Sequence, residues 1–337
     1  MSGLSLSCRT ILPGLAVALG SLAAPLHAQP RYPERPVRVV IPFAPGGNTD
    51  LMGRRFGARL TPLLGQTIVI DNRAGAGGNI GAAEVARARP DGYTLLIGTS
   101  STHALNPLTF EDMPYDPVKD FAPVAVLGIS HMVIAVHPTI AGSLRDLVAK
   151  VKAQPGRYSY GSSGLRTNVH LTGEMFIRQA GGLDLLHVPY KGGGQAVQET
   201  IAGQIPVVIT AISSATPYHR AGRLRILAVF SEARSKALPE VPTAIESGVP
   251  GMLSSSLNVL FGPAGTPRAI VDVLHQATVK IVADAAFQAD LDTLGMDPVT
   301  DATPERTAQL IKDEIARWTP VVQAAGMAPG RSGRAAR

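Results

Sequence analysis

Short β-branched runs alternate along the chain with segments whose apolar residues recur at helical spacing, and Gly/Pro-rich turns separate the two. Residues 37–41 read as a short buried strand. Met52, Phe56 and Leu60 then share one face of a helix that stops or kinks at Pro62 and Gly65. Between them lies Pro42-Phe43-Ala44-Pro45-Gly46-Gly47-Asn48-Thr49-Asp50, a turn in which Asn48 or Thr49 is placed to cap the helix and Asp50 to favour its dipole. Such a turn aims backbone N–H groups at one point in space, where an anion is the natural guest.

The same pattern recurs. Residues 67–70 predict a second strand, closed by Asp71-Asn72-Arg73 and the glycine loop 75–78, after which Asn79 is placed to cap a helix ending before Pro90-Asp91-Gly92. A third strand over 93–97 opens into the small polar loop 98–103. The stretch 121–136 is largely apolar and long enough to run from one sheet into another. Beyond it, strands are expected at 158–161, 187–189, 207–211 and 225–230, and helices at 144–152, 168–179 and 195–202. Residues from about 266 to 326 read as helices with Ile311 and Trp318 as core anchors. Alternation of this kind indicates an α/β architecture with mainly parallel sheets.

Five polar or glycine turns follow strands, at 44–49, 73–79, 98–103, 161–167 and 190–194. Ligands of open α/β sheets sit beyond the carboxyl ends of the strands, so four of these turns, all but 73–79, are expected to line one cleft between two lobes. The expected division is 29–130 with 229–337 for the first lobe and 131–228 for the second.

Composition narrows the setting. Met1 to Ala28 reads as a secretory signal peptide, because its apolar run is shorter than the roughly 20 residues of a membrane span and ends in small residues. Cys8, the single cysteine, lies inside it without a lipid-attachment pattern, so neither disulfide nor lipid anchor is expected. A 45% apolar, 17% charged composition fits a compact folded protein. Removing Arg9 with the leader leaves 30 Lys+Arg against 25 Asp+Glu, with part of the excess in the tail at Arg331, Arg334 and Arg337. Export, few aromatics and the lack of a basic stripe argue against a nucleic-acid partner. The expectation is a periplasmic protein, monomeric and not membrane-inserted once mature.

Enzymatic readings lack their motifs. Gly161-Ser162-Ser163-Gly164 misses the nucleophile-elbow spacing by one residue, and Ile80 occupies the last glycine position of a dinucleotide fingerprint over 75–80. The histidines at 103, 131, 137, 170, 187, 219 and 275 show no zinc-ligand spacing. No cofactor, metal or catalytic residue is expected.

Over nearly the whole mature sequence the order of motifs resembles the tripartite tricarboxylate transporter substrate-binding proteins, the periplasmic Bug family. The matching words include Pro42-Phe43-Ala44-Pro45-Gly46-Gly47, Asp71-Asn72-Arg73 with Gly75-Ala76-Gly77-Gly78, Pro90-Asp91-Gly92-Tyr93 and Asp120-Phe121-Ala122-Pro123-Val124. His170-Leu171 with Glu174, Val188-Pro189-Tyr190-Lys191-Gly192, Leu238-Pro239-Glu240-Val241-Pro242-Thr243 and Gly265-Thr266-Pro267 follow in order. The resemblance implies a two-lobe Venus-flytrap fold that closes on a small carboxylate and delivers it to the membrane components of a transporter. By matching positions it implies a binding site built from Phe43, Ala44, Gly47, Asn48, Asp50, Ser100, Ser101 and Thr102 in the first lobe. The second lobe would add Ser162, Ser163, Thr167, Tyr190, Lys191, Thr210 and Ser213, with Lys191 available to a second carboxylate.

Departures from the family pattern fall at Pro206, where an aspartate is often found, at Ser256-Leu257-Asn258, which lacks a common tryptophan, and at Arg166, bulkier and more basic than expected. Two alternatives share the scaffold: a periplasmic sensor docking on a receptor domain, and a periplasmic hydrolase of carboxylic esters or amides.

Overall fold

The computed structural model describes residues 32–301 and 303–329. The expected leader, with Cys8, and the basic tail at 331–337 lie outside those residues. In the first part of the chain come β1 (Val37–Ile41), α1 (Asn48–Leu64), β2 (Ile68–Asn72), α2 (Asn79–Ala86), β3 (Thr94–Thr99), the short α3 (Asn106–Thr109) and the long β4 (Phe121–Val136). The middle of the chain forms α4 (Leu144–Ala153), β5 (Tyr158–Ser162), α5 (Asn168–Gln179), β6 (Leu185–Pro189), α6 (Gly193–Ile201), β7 (Val207–Ala211), α7 (Ile212–Arg220) and β8 (Arg225–Val229). The chain closes with β9 (Ser255–Pro263), α8 (Arg268–Ala283), α9 (Ala285–Leu294), the two-residue β10 (Met296–Asp297) and α10 (Pro304–Ala324).

The strands follow the order β2-β1-β3-β9-β4-β7-β5-β6, with β8 and β10 also pairing β4. Parallel pairing holds within each flank, β1 against β2 and β3, and β5 against β6 and β7. The centre is antiparallel, however: β9 runs against both β3 and β4, and β4 runs against β7 and β8. The expectation of mainly parallel sheets is thus corrected to a mixed arrangement. Two strands cause this: β4, which runs against β7, β8 and β10, and β9, which reads poorly as a strand because Ser255, Ser256 and Asn258 make its first half polar. β4 pairs with β9 as far as His131 and with β7 from Met132, so this one strand carries the chain from one set of partners to the other.

Buried clusters form along that strand. Around its first half Val40, Leu96, Val126, Val259 and Phe261 pack with Ile311 of α10. Around its second half Met132, Ile134, Val136, Tyr160, Phe176 and Ile209 form one buried cluster, and Val133, Ala135, Val197, Val208 and Ile212 another. Trp318, 1% exposed, joins α10 to Leu105 and to Leu171 of α5, so the last helix braces the turn after β3.

Helix starts differ from expectation in a telling way. Neither Asn48 nor Thr49 caps α1: Gly47 occupies the cap position without a side-chain bond, and the helix begins at Asn48 itself. Asn79 likewise lies inside α2, behind Gly78, and its Oδ1 accepts bonds from Asn106 and Tyr115 instead. Pro62 lies within α1, which ends at Gly65 in the left-handed conformation, where its N–H reaches the Thr61 carbonyl.

Candidate functional site

Four helix starts meet at one small chamber of about 40 Å³. Its wall takes Phe43, Gly47, Asn48 and Thr49 from the entry to α1, and Ser163, Asn168 and Val169 from the entry to α5. Gly193 opens α6 there, Thr210 and Ala211 end β7, and Ser214 lies in the first turn of α7. Thr99, Ser101, Met132 and Ser256 complete the lining, and none of these residues is charged. The first N–H groups of a helix have no acceptor within it and carry the positive end of its dipole. Their convergence makes the chamber electropositive without a formal charge.

Side chains in the wall are also left wanting partners. Thr99 Oγ1, Asn168 Oδ1 and Ser214 Oγ are buried without a hydrogen bond, which is costly unless a guest supplies one. Hydroxyls of Thr99 and Ser214 can donate to a carboxylate oxygen, whereas Asn168 Oδ1 only accepts and asks for a hydroxyl, an ammonium or a water.

Backbone packing across the chamber is close. Ala44 N–H donates to the Lys191 carbonyl at 3.2 Å, and a Cβ on Gly194 would lie 2.7 Å from Pro45 O and from the Gly46 carbonyl carbon. A Cβ on Gly193 would stand 2.8 Å from Thr210 Oγ1, so glycine at that position lets the Thr210 hydroxyl approach the helix start. Asn48 sits at the centre of the contact, accepting from Ser213 Oγ at 3.1 Å and donating to Asn258 Oδ1 at 3.3 Å. Nearby, Ser101 Oγ accepts from the Asn168 N–H at 3.0 Å.

Several residues expected in the site stand behind it. Asp50 is 3% exposed and accepts from Gly46 N–H, Asn72 Nδ2 and Arg54, so it shapes the glycine turn instead of lining the chamber. Ser100 is held by Glu314 and the Leu257 N–H, and Thr102 by Thr99 and His103. Thr167 caps α5 through the His170 N–H and donates to the Gly164 carbonyl. Ser162 bonds His187 Nε2 at 2.7 Å. His187 stacks on His170 with ring centroids 3.8 Å apart, and burial lowers the pKa of the two rings to about 4 and about 3 respectively. Both rings are therefore neutral at pH 7. His170 Nδ1 then accepts the Arg166 N–H at 3.0 Å, fixing the loop that carries Ser163.

A second chamber of about 260 Å³ adjoins the first, and the two share Phe43 and Ser163. Tyr190, Lys191, Leu165 and Arg166 line it on one side and the 75–78 loop with Phe110 on the other. The 73–79 turn, set aside in the sequence reading, thus belongs to this outer space. Thr49, Thr99 and Gly193 fall in turns expected to line the cleft without being among the expected site residues, Ser256 enters the sequence reading only as a departure from the family pattern, and Met132, Asn168, Val169, Ala211 and Ser214 are not expected in the site. The only signal available for Asn168 and Ser214 was a polar residue in the first turn after a strand.

Residues 53–327 match the family described as the tripartite tricarboxylate transporter family receptor. The chain belongs to this family. It is 36% identical over 316 residues to the protein BugT of Bordetella pertussis, covering 93% of this chain and 96% of that one. A solved structure described as a periplasmic transporter is 41% identical, with a TM-score of 0.85 over 88% of this chain and 99% of its own. A protein of R. palustris solved with adipate is 35% identical, with a TM-score of 0.84 over the same shares. The family's members are periplasmic solute-binding proteins and not enzymes, and this chain is a periplasmic solute-binding protein on their two-lobe fold, with a cleft between the lobes.

Proposed function

We propose that the protein is exported by its N-terminal leader, captures a small organic anion between its lobes, and presents the closed complex to the membrane components of a tripartite tricarboxylate transporter. The expected boundary at 229 moves to about 255, because Phe230, Ala244, Val249 and Met252 pack in the buried cluster of Met132, Ile134 and Tyr160: the second lobe is then 131 to about 254, and the first lobe is the chain before and after it, exchanging through β4 and β9. The observation that carries the reading is the uncharged chamber onto which α1, α5, α6 and α7 all point their N-termini, with Thr99 and Ser214 offering unused hydroxyls.

A carboxylate satisfies those donors at once, and neutral donors release it more readily than a buried ion pair would. Gly47, Asn48, Ser101, Ser163 and Thr210 hold the ligand at the wall. Ser213 acts through Asn48, and Ala44 through its backbone bond to Lys191. Asp50, Ser100, Thr102, Ser162 and Thr167 position those groups without touching the guest. Because the bonds from Asn48 to Ser213 and from Ser101 to Asn168 join residues of different lobes, ligand capture and closure are coupled.

Native mass spectrometry of protein purified gently from periplasmic extract tests this. An intact small carboxylate should leave the protein on activation, and a neutral sugar or a hydrolysed product in its place would contradict the proposal.

A further inference from the structure

Three buried side-chain atoms of the inner wall lack a partner, and one of them differs in kind. Thr99 Oγ1 and Ser214 Oγ can donate, whereas Asn168 Oδ1 can only accept. The other polar atoms of Asn168 are engaged and fix how it sits. Its Nδ2 donates to the Ser255 carbonyl on β9 at 3.2 Å, which turns Oδ1 away from that strand. Its N–H donates to Ser101 Oγ at 3.0 Å, and its carbonyl accepts from Thr172 Oγ1 at 2.8 Å. The residue is 1% exposed, and no donor among the described residues reaches Oδ1. An acceptor buried in this way is stabilised only when the guest brings it a proton.

Size and charge decide what carries that proton. A chamber of about 40 Å³ holds roughly three water-sized groups, at about 10–15 Å³ each. Two of them are the oxygens of a carboxylate facing the helix N-termini and the hydroxyls of Thr99 and Ser214. A hydroxyl on the adjacent carbon fits the third place, and Met132, Val169 and Ala211 meet the carbon atoms. An ammonium there would face four helix N-termini with no Asp or Glu in the wall. Asp50, behind the glycine turn, is already engaged by Gly46 N–H, Asn72 Nδ2 and Arg54. A free water would need separate ordering, which a hydroxyl carried by the acid avoids.

Resting on the carboxylate reading above, we propose that the ligand is a 2-hydroxycarboxylate and that Asn168 is the residue that selects it, taking the 2-hydroxyl proton on Oδ1 while the carboxylate lies against the helix N-termini. Asn168 thereby distinguishes a 2-hydroxy acid from its 2-amino and unsubstituted counterparts, because the unsubstituted acid leaves the acceptor bare and the amine brings a charge the wall does not balance.

Calorimetric titration of the mature protein with matched acids tests this: lactate, propionate and alanine; malate, succinate and aspartate; 2-hydroxyhexanoate, hexanoate and 2-aminohexanoate. In at least one set the hydroxy acid should bind about tenfold or more tighter than the other two members. The corresponding 2-fluoro acid, close to the hydroxyl in size but without its proton, should bind no better than the unsubstituted acid, a comparison that needs no variant. Asn168→Leu should bring the ratio of hydroxy to unsubstituted acid to about twofold or less, whereas Ser214→Ala should weaken both alike and leave the ratio standing. Equal affinities within every set, a fluoro acid as tight as the hydroxy acid, or a ratio that survives Asn168→Leu would overturn the assignment while leaving the carboxylate reading intact. Tighter binding of the amino acid would also overturn it, in favour of an ammonium ligand. Silence of every acid, with saturable binding of a neutral sugar, would remove the carboxylate reading itself.

Discussion

Ser213 donates its hydroxyl to Asn48 Oδ1 at 3.1 Å, tying the first turn of α7 to the first turn of α1. The same amide donates from Nδ2 to Asn258 on β9. One short side chain therefore holds three elements around the inner chamber, where a helix cap would have spent it on its own backbone. Asn48→Ala removes both bonds at a site where each is worth about 1 kcal/mol. Ligand affinity should fall by about tenfold or more in a calorimetric titration, with the ligand-free melting temperature moving by only about 2 °C.

Gly194→Ala probes closure directly. The added methyl would meet Pro45 O and the Gly46 carbonyl carbon at 2.7 Å, both backbone atoms with little freedom to yield. Small-angle scattering should show ligand compacting the wild type but not the variant, and affinity should drop accordingly. Gly47→Val acts from the opposite wall, where a Cβ stands 3.6 Å from Gly193 N and Gly194 N, so its further methyls fill the chamber. Normal compaction with ligand in both variants would show that these turns need not meet.

Much of this was legible in the chain because punctuation and periodicity agree. The bounds of β4, α5 and β7 follow from long apolar or β-branched runs closed by Gly, Pro or polar residues. β9 escaped, since Ser255, Ser256 and Asn258 trade strand character for a polar face beside the chamber, and its partners lie over a hundred residues away in the chain. Hydroxyls such as Ser100, Thr102 and Ser162 sit at the right turns yet face inward to brace them. Which of two neighbouring hydroxyls meets a ligand depends on packing that local sequence does not encode, as Ser101 beside Ser100 illustrates.

Acid should loosen the fold through its buried imidazoles. His103 and His170 have pKa values lowered to about 3 and His187 to about 4, with burial the leading cause in each, against about 6.5 in the unfolded chain. The folded state therefore binds fewer protons between these values. Stability is full above about pH 6.5 and is lost progressively as pH falls toward 4 and 3. Urea midpoints measured from pH 7 to pH 4 should decline, and His187→Gln should remove about one proton's share of the slope. An unchanged slope would assign the acid sensitivity elsewhere.

Trp318 is the anchor by which α10 braces the turn after β3. Its indole packs with Leu105, Leu171 and Val322, and its Nε1 donates to Glu314, which also accepts from Ser100. Trp318→Ala should cost about 3–5 kcal/mol in denaturant unfolding. Because the chain has one tryptophan, intrinsic fluorescence of the wild type should also respond when ligand draws α5 toward α10.

The central claim is that four helix N-termini and unused hydroxyls hold a carboxylate without a formal charge in the inner chamber. Its most direct measurement is calorimetric titration of the mature protein against mono-, di- and tricarboxylates, acidic amino acids, neutral sugars and divalent metals. At least one carboxylate should bind with 1:1 stoichiometry at about micromolar Kd, equivalent to roughly −8 kcal/mol. Saturable binding of a sugar or a metal, with every carboxylate silent, would contradict it.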